Sequence, residues 1–148
     1  MLQENAYQYL YLCSWKTNLH SYHVKLKPIC EKSTLFEALF MEITSETLNN
    51  NITIGNVYRP STNTSDTNSE LSLFISEFQP IIEKLDKESS SIAISGDFNI
   101  NLLQVNQREQ YQEFFDILVN KGLIPQATLP TRFSTKRATL IDNTFFQT

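Results

Sequence analysis

Glycine is scarce in this chain, with three in 148 residues. Chain reversals therefore fall to Asn, Ser, Thr, Asp and Pro, which bond their own backbone or preset φ. Cysteine is nearly absent as well. Cys13 and Cys30 are the two thiols, and they have no C-x-x-C spacing. That argues against a disulfide scaffold or a thiolate zinc site and fits free thiols in a reducing compartment. No apolar run approaches the ~20 residues that cross a bilayer. No basic residue precedes the apolar Tyr7–Cys13 run, so the N-terminus does not read as a secretory leader. An intracellular location, nucleus or cytoplasm, without membrane contact is expected. The net charge is −4, which argues against a protein that coats nucleic acid by bulk charge. A local basic surface remains open.

What is present suffices for a packed domain. Ten Phe, six Tyr and one Trp can fill the core of a chain this long. No repeat and no linker interrupts residues 1–148, so one domain is expected. Residues 6–13 read as a strand, and Tyr22, Val24 and Leu26 alternate with polar residues in a second strand ending near Pro28. His20 and His23 fall in the turn and on the polar face of that hairpin, where a solvated role is expected. Residues 35–44 can be read as helix or strand, and strand is favoured because Phe36, Ala38 and Phe40 fall on one side and Leu39, Met41 and Ile43 on the other. Asn49–Asn51 reads as a tight turn before a strand over 52–58. Leu71, Ile75, Phe78, Ile82 and Leu85 recur at helical spacing, so 69–87 is an amphipathic helix that Pro80 should kink or divide. A second helix is expected over 107–121, stopped by Gly122. Short extended pieces follow. Thr131–Arg137 reads as a basic loop and 139–146 as a last strand.

One stretch organises the rest. Ser91-Ile92-Ala93-Ile94-Ser95 reads as a short strand buried on both faces. It runs into Gly96-Asp97-Phe98-Asn99, where Gly96 would let the backbone turn. If the extended geometry continues, Asp97 and Asn99 point to the same side. A carboxylate and a carboxamide at the carboxyl end of a buried strand form a polar site on a rigid base. Three further clusters end or flank strands: Tyr58-Arg59-Pro60, Pro130-Thr131-Arg132 and Leu140-Ile141-Asp142-Asn143. Taken singly, each has a bland account. Tyr58 is a half-buried strand aromatic, Asp97 a turn former, Arg132 a solvated loop charge and Asp142 a satisfied edge acid.

Together and in this order the clusters resemble the endonuclease/exonuclease/phosphatase superfamily. More narrowly they resemble the apurinic-type endonuclease domain of non-LTR (LINE-type) retrotransposons. The matching motifs are Ile54–Pro60, Gly96–Leu103, Gly122–Pro125, Leu129–Arg132 and Thr139–Phe145. The resemblance implies an α/β (α+β) fold: a four-layer sandwich of two mixed sheets flanked by helices, here incomplete. It implies a DNA-nicking phosphodiesterase with Asp97 as general base or water-orienting group and Asn99 holding that water or the phosphate. Tyr58 would donate its hydroxyl to the scissile phosphate, and Asp142 would orient a catalytic histidine. Arg59, Thr131, Arg132, Lys136 and Arg137 would contact DNA. Mg²⁺ is the expected cation, with Asp97 a weak ligand, because the donors are oxygens and none is soft. DNA is the expected partner, with a reverse transcriptase domain in a full-length element.

The chain also departs from that pattern. The family's upstream Asn and metal-binding Glu have no counterpart, since Glu4 stands too close to the first hairpin. The family's Ser-Asp-His tail has no counterpart either, so the resemblance implies a domain truncated at both ends and impaired in catalysis. The alternative is a non-catalytic remnant that binds nucleic acid or protein. A phosphoinositide or sphingomyelin substrate fits less well, because Tyr-Arg-Pro, Pro-Thr-Arg and Leu-Ile-Asp-Asn belong to the retrotransposon branch.

Overall fold

The computed structural model describes residues 24–45, 48–61, 67–135 and 137–147. The strand expected over 6–13, Glu4, Cys13, His20, His23 and Lys136 lie outside the described residues. Alternating apolar residues make the first half a meander of strands β1 (Val24–Lys32), β2 (Glu37–Ser45) and β3 (Leu48–Tyr58). Helix α1 (Thr67–Glu88) then carries the chain back, and β4 (Ser91–Asp97) lies parallel to β3. A parallel neighbour requires such a crossover. A 3₁₀ segment (Leu102–Gln107), α2 (Glu109–Val119) and β5 (Leu123–Pro125) follow. The chain then forms a small hairpin, β6 (Arg132–Phe133) and β7 (Ala138–Thr139), and ends in β8 (Asp142–Gln147).

The strands form a six-stranded mixed sheet in the order β1-β2-β3-β4-β8-β5, and β6 and β7 form a separate two-stranded sheet. Both helices pack on one face of the large sheet. This is the mixed α/β fold expected, with one helical layer and one large sheet of the sandwich among the described residues. The helix-side face presents Phe36, Ala38, Phe40, Val57, Ile92, Ile94, Leu123 and Phe145, all buried. Phe74, Phe78 and Ile82 of α1 and Phe114 and Leu118 of α2 close over them. Phe114 is central to the aromatic cluster, with ring centroids 5.3 Å from Phe98, 6.0 Å from Phe74, 6.1 Å from Phe78 and 6.2 Å from Phe145. The opposite face is different. It carries Ile54, Tyr58 and Phe146 with about half their surface exposed.

Several local expectations change once the strands pair. The second strand does not end at Pro28; β1 runs through it to Lys32. β1 is an outer strand, paired only to β2 among the described residues, and an outer position tolerates a residue without an N–H. Asn49–Asn51 is not a turn but the start of β3, since the reversal falls between Ser45 and Leu48. Asn51 instead ties α1 to the sheet: its Nδ2 donates to the Glu88 carbonyl and its Oδ1 accepts from the Ser90 amide. Pro80 does not divide α1, which is assigned as one helix from Thr67 to Glu88. Pro80 is exposed, so the carbonyl it deprives of a donor can be hydrated. β4 is buried on one face only, because Ala93 and Ser95 are half-buried while Ile92 and Ile94 are fully inside. α2 ends at Val119 with Asn120 as its cap, earlier than expected, and Gly122, at φ 72°, completes the turn that follows.

The ring cluster yields a stability prediction. Phe114→Ala removes a side chain that touches four other rings, and should cost about 3–5 kcal/mol of unfolding free energy. Urea denaturation followed by circular dichroism measures it. A loss below about 1 kcal/mol would mean that α2 does not depend on this contact.

Candidate active site

The site is a row set by strand register. Tyr58 of β3 stands opposite Asp97 of β4, and Asp97 stands opposite Asp142 of β8. Residues in register on adjacent strands point to the same face of a sheet. All three therefore lie on the face away from the helices, at the carboxyl end of β4. The next row inward is Asn56, Ser95 and Thr144, where the Ser95 and Thr144 hydroxyls are 2.9 Å apart. The row after that is Ile54, Ala93 and Phe146. The face thus passes from apolar to acidic toward one rim.

Gly96 makes the row possible, but not by turning. It is inside β4, and its φ is not in the left-handed region. A methyl group at this position would overlap the Val57 carbonyl oxygen and press on the Val57 backbone. Glycine is required here by the close approach of β3, which corrects the expected hinge role.

Asn99 departs from the extended geometry. Its φ is +49°, the one positive value outside glycine among the described residues. The chain folds back on itself, and the Asn99 amide donates to Oδ1 of Asp97 at 3.1 Å. The Asn99 carboxamide nitrogen donates to the Arg59 carbonyl at 2.6 Å. Asn99 therefore stays beside Asp97 through a tight local turn, not through strand alternation. Asn and Asp tolerate this conformation because their short polar side chains bond locally.

A single guanidinium joins the two acids. Arg132 Nη2 lies 2.6 Å from Oδ2 of Asp97 and 3.3 Å from Oδ1 of Asp142, and its Nε donates to Oδ2 of Asp142 at 3.3 Å. Thr131 Oγ1 donates to the same Asp142 oxygen at 2.9 Å. The Asp142 hydrogen bond, followed by the Asp97 charge, raises the Arg132 pKa above its usual value. Arg132 is more than half exposed, so these pairs act mainly by holding geometry. Two carboxylates and one guanidinium leave a net charge of −1. Nη1 of Arg132, with two donors, is not used by either acid.

Arg59 is not on this surface. Expected as a DNA contact, it is 7% exposed, and its Nη1 donates inward to the Phe98 and Asn99 carbonyls. A side chain buried this way cannot reach a phosphate. Arg137 is exposed beyond β6, and its backbone closes the hairpin with Ser134. Two asparagines that the motifs contained, but to which no role was assigned, hold the site together. Asn101 Oδ1 accepts from the Leu140 amide, and Asn143 pairs its carboxamide with both backbone groups of Ala127. Their signal is a short polar side chain that can bond backbone, at the cap of the 3₁₀ segment for Asn101 and at the start of β8 for Asn143.

Among the described residues the donor set does not form a site for a divalent cation. Among the described residues no three His, Cys, Asp or Glu side chains come together to hold a metal. Asp97 and Asp142 are two carboxylates already shared by one guanidinium. Magnesium is held by one or two carboxylates with waters and substrate phosphates, and here both carboxylates are engaged by Arg132.

Comparison with known proteins agrees on the fold. No family model and no curated protein matches the sequence. Solved structures do. An endonuclease/exonuclease/phosphatase family protein of Bacteroides thetaiotaomicron matches at TM-score 0.50 and 13% identity, over 83% of this chain and 50% of its own. The human Nocturnin catalytic domain with bound sulfate matches at TM-score 0.55 and 13% identity, over 84% and 48%. The inositol polyphosphate 5-phosphatase domain of SPsynaptojanin, in complex with inositol (1,4)-bisphosphate and calcium ion, matches at 0.55 and 13%, over 84% and 47%. This chain has the endonuclease/exonuclease/phosphatase fold, over about half the length of these structures. No described helix is long and apolar enough to cross a membrane.

The acid row also anchors the hairpin. Asp142→Ala should free Thr131 and Arg132 and increase amide exchange across residues 131–139, while global stability falls by less than about 1 kcal/mol. Hydrogen exchange by mass spectrometry checks this, and unchanged exchange in that segment would show that the hairpin does not rely on Asp142. Gly96→Ala should destabilise by about 1–3 kcal/mol through overlap with the Val57 carbonyl, measured by thermal melting.

Proposed function

We propose that this chain is part of a DNA endonuclease of the non-LTR retrotransposon type, working beside a reverse transcriptase domain of the same element. The observation that carries the reading is the register row Tyr58–Asp97–Asp142 with Asn99 turned in beside it. Hydrolysis of a phosphodiester requires a positioned water, a base and donors for the extra charge on the phosphoryl oxygens. In this reading a carboxylate oxygen of Asp97 accepts the proton of the attacking water. The water oxygen bonds to phosphorus as the ester P–O bond breaks, and the leaving oxygen takes a proton from solvent. The Tyr58 hydroxyl donates to a non-bridging phosphoryl oxygen. The Nη1 of Arg132, which neither acid engages, meets a second such oxygen, and Asp142 holds Thr131 and Arg132 in place. Arg137 adds a sequence-independent phosphate contact on the hairpin, and Lys136 is assigned the same role from its sequence position. The Mg²⁺ expected from the resemblance enters no step, because the donor set of the described residues does not form a site for it.

One observation favours a second reading. Arg132 spans both acids, and no third metal-ligating side chain joins them among the described residues, which suits a site that binds the phosphodiester without cutting it. Supercoiled plasmid and a fluorescent oligonucleotide separate the two. The endonuclease reading expects slow plasmid relaxation that Asp97→Ala reduces at least about 10²-fold, with anisotropy-measured binding retained. Binding without relaxation would transfer the case to the second reading, and neither binding nor relaxation would remove both.

A further inference from the structure

Arg59 is the one arginine of the described residues that the fold buries. Burial lowers its pKa, and the charge of Tyr111 and then of Glu70 opposes that shift. The guanidinium lies 5.4 Å from the centre of the Phe74 ring. Glu70 nearby has one buried carboxylate oxygen without a hydrogen-bond partner. Burying a charge is costly unless it is well bonded, so the bonds that Arg59 makes identify its role.

Its hydrogen bonds to described residues grip one corner. The Arg59 amide donates to the Asp97 carbonyl at 2.9 Å. The Arg59 carbonyl accepts from the Asn99 carboxamide at 2.6 Å. The guanidinium donates to the Phe98 carbonyl at 3.2 Å and the Asn99 carbonyl at 3.3 Å. Three consecutive residues, Asp97, Phe98 and Asn99, are held from behind by one. That segment contains the left-handed Asn99, a conformation that surrounding contacts must maintain in a residue other than glycine.

We propose that Arg59 is a positioning residue: from the buried side it fixes the turn that sets Asn99 against Asp97, and it never touches the nucleic acid. The consequence for hydrolysis rests on the endonuclease reading above; the consequence for the turn does not. The guanidinium, seated over the Phe74 ring, satisfies the buried Phe98 carbonyl and the partly buried Asn99 carbonyl. Without it the carbonyls must find water, and the turn opens.

Three variants test this: Arg59→Met, which keeps the packing on Phe74 without the donors, Arg59→Lys, which keeps the charge and one donor direction, and Asn99→Ala. The structural readout is exchange of the Asn99 and Phe98 amides by NMR. Arg59→Met should speed it about tenfold and Arg59→Lys should restore part of the protection, while the amides of β2 and β3 exchange as in the wild type. Wild-type protection at Asn99 in Arg59→Met would overturn the proposal. If Arg59→Met does not fold, Arg59→Lys against the wild type decides: faster exchange confined to 97–99 supports it, and unchanged exchange overturns it. The functional readout is the double-mutant cycle in plasmid relaxation. Arg59→Met should add nothing to the loss caused by Asn99→Ala, whereas additive losses would mean that Arg59 acts elsewhere. A wild-type chain that does not relax plasmid would refute the endonuclease reading and leave the exchange result to judge Arg59.

Discussion

The structure depends on β4 having a neighbour on each side with only one workable register. Ile92 and Ile94 must face the helices, because a slip of one residue would turn them out and bring Ala93 and Ser95 in. Parallel pairing to β3 and antiparallel pairing to β8 then follow, and they place the last residue of β3, Tyr58, and the first of β8, Asp142, level with Asp97. The close contact at Gly96 sets how near β3 can lie. The row of Tyr58, Asp97 and Asp142 is thus a by-product of core burial. The same apolar residues that stabilise the sheet determine where the acids meet.

The electrostatics of the rim follow from that convergence. Two carboxylates in one row repel, and a protein can relieve this with a cation, a proton or distance. Here Arg132 arrives on the β6–β7 hairpin, and the guanidinium fork reaches both acids at once. A hairpin of two-residue strands has little core of its own, so its position depends on the acids as much as their charge depends on it. The site and its covering hairpin are one electrostatic unit on a rigid sheet. The buried Arg59 serves the opposite purpose, bonding backbone carbonyls where no carboxylate balances it directly.

The parts legible in the sequence were those governed by short-range pattern. The period-2 alternation of 35–44 and 52–58 marked β2 and β3, and the 3.6-residue spacing of Leu71 to Leu85 marked α1. Errors arose where a residue's meaning depended on a partner distant in the chain. Pro28 reads as a strand end until β1 is known to lie at the sheet edge. Asn49–Asn51 reads as a turn until Asn51 meets Ser90, and Gly96 reads as a hinge until Val57 lies against it. Arg59 looks like a surface charge beside Tyr58, because a strand alternates and its end is normally exposed. Its burial comes from α1 and the Phe98–Asn99 loop closing over it, which no local pattern records.

By itself the sequence determined the inventory and order of the site: an acid after a buried strand, an aromatic hydroxyl before it, and a second acid on the last strand. Their places at strand ends follow from local patterning, and their grouping as one site follows from the resemblance that the order of the motifs carries. Only the tertiary structure decided that the three stand in a single row, that Asn99 arrives there by a left-handed turn, and that of two neighbouring arginine motifs one faces the acids and the other is buried beneath them. Register and burial are set by contacts between segments tens of residues apart, and such contacts exist only once the sheet has closed.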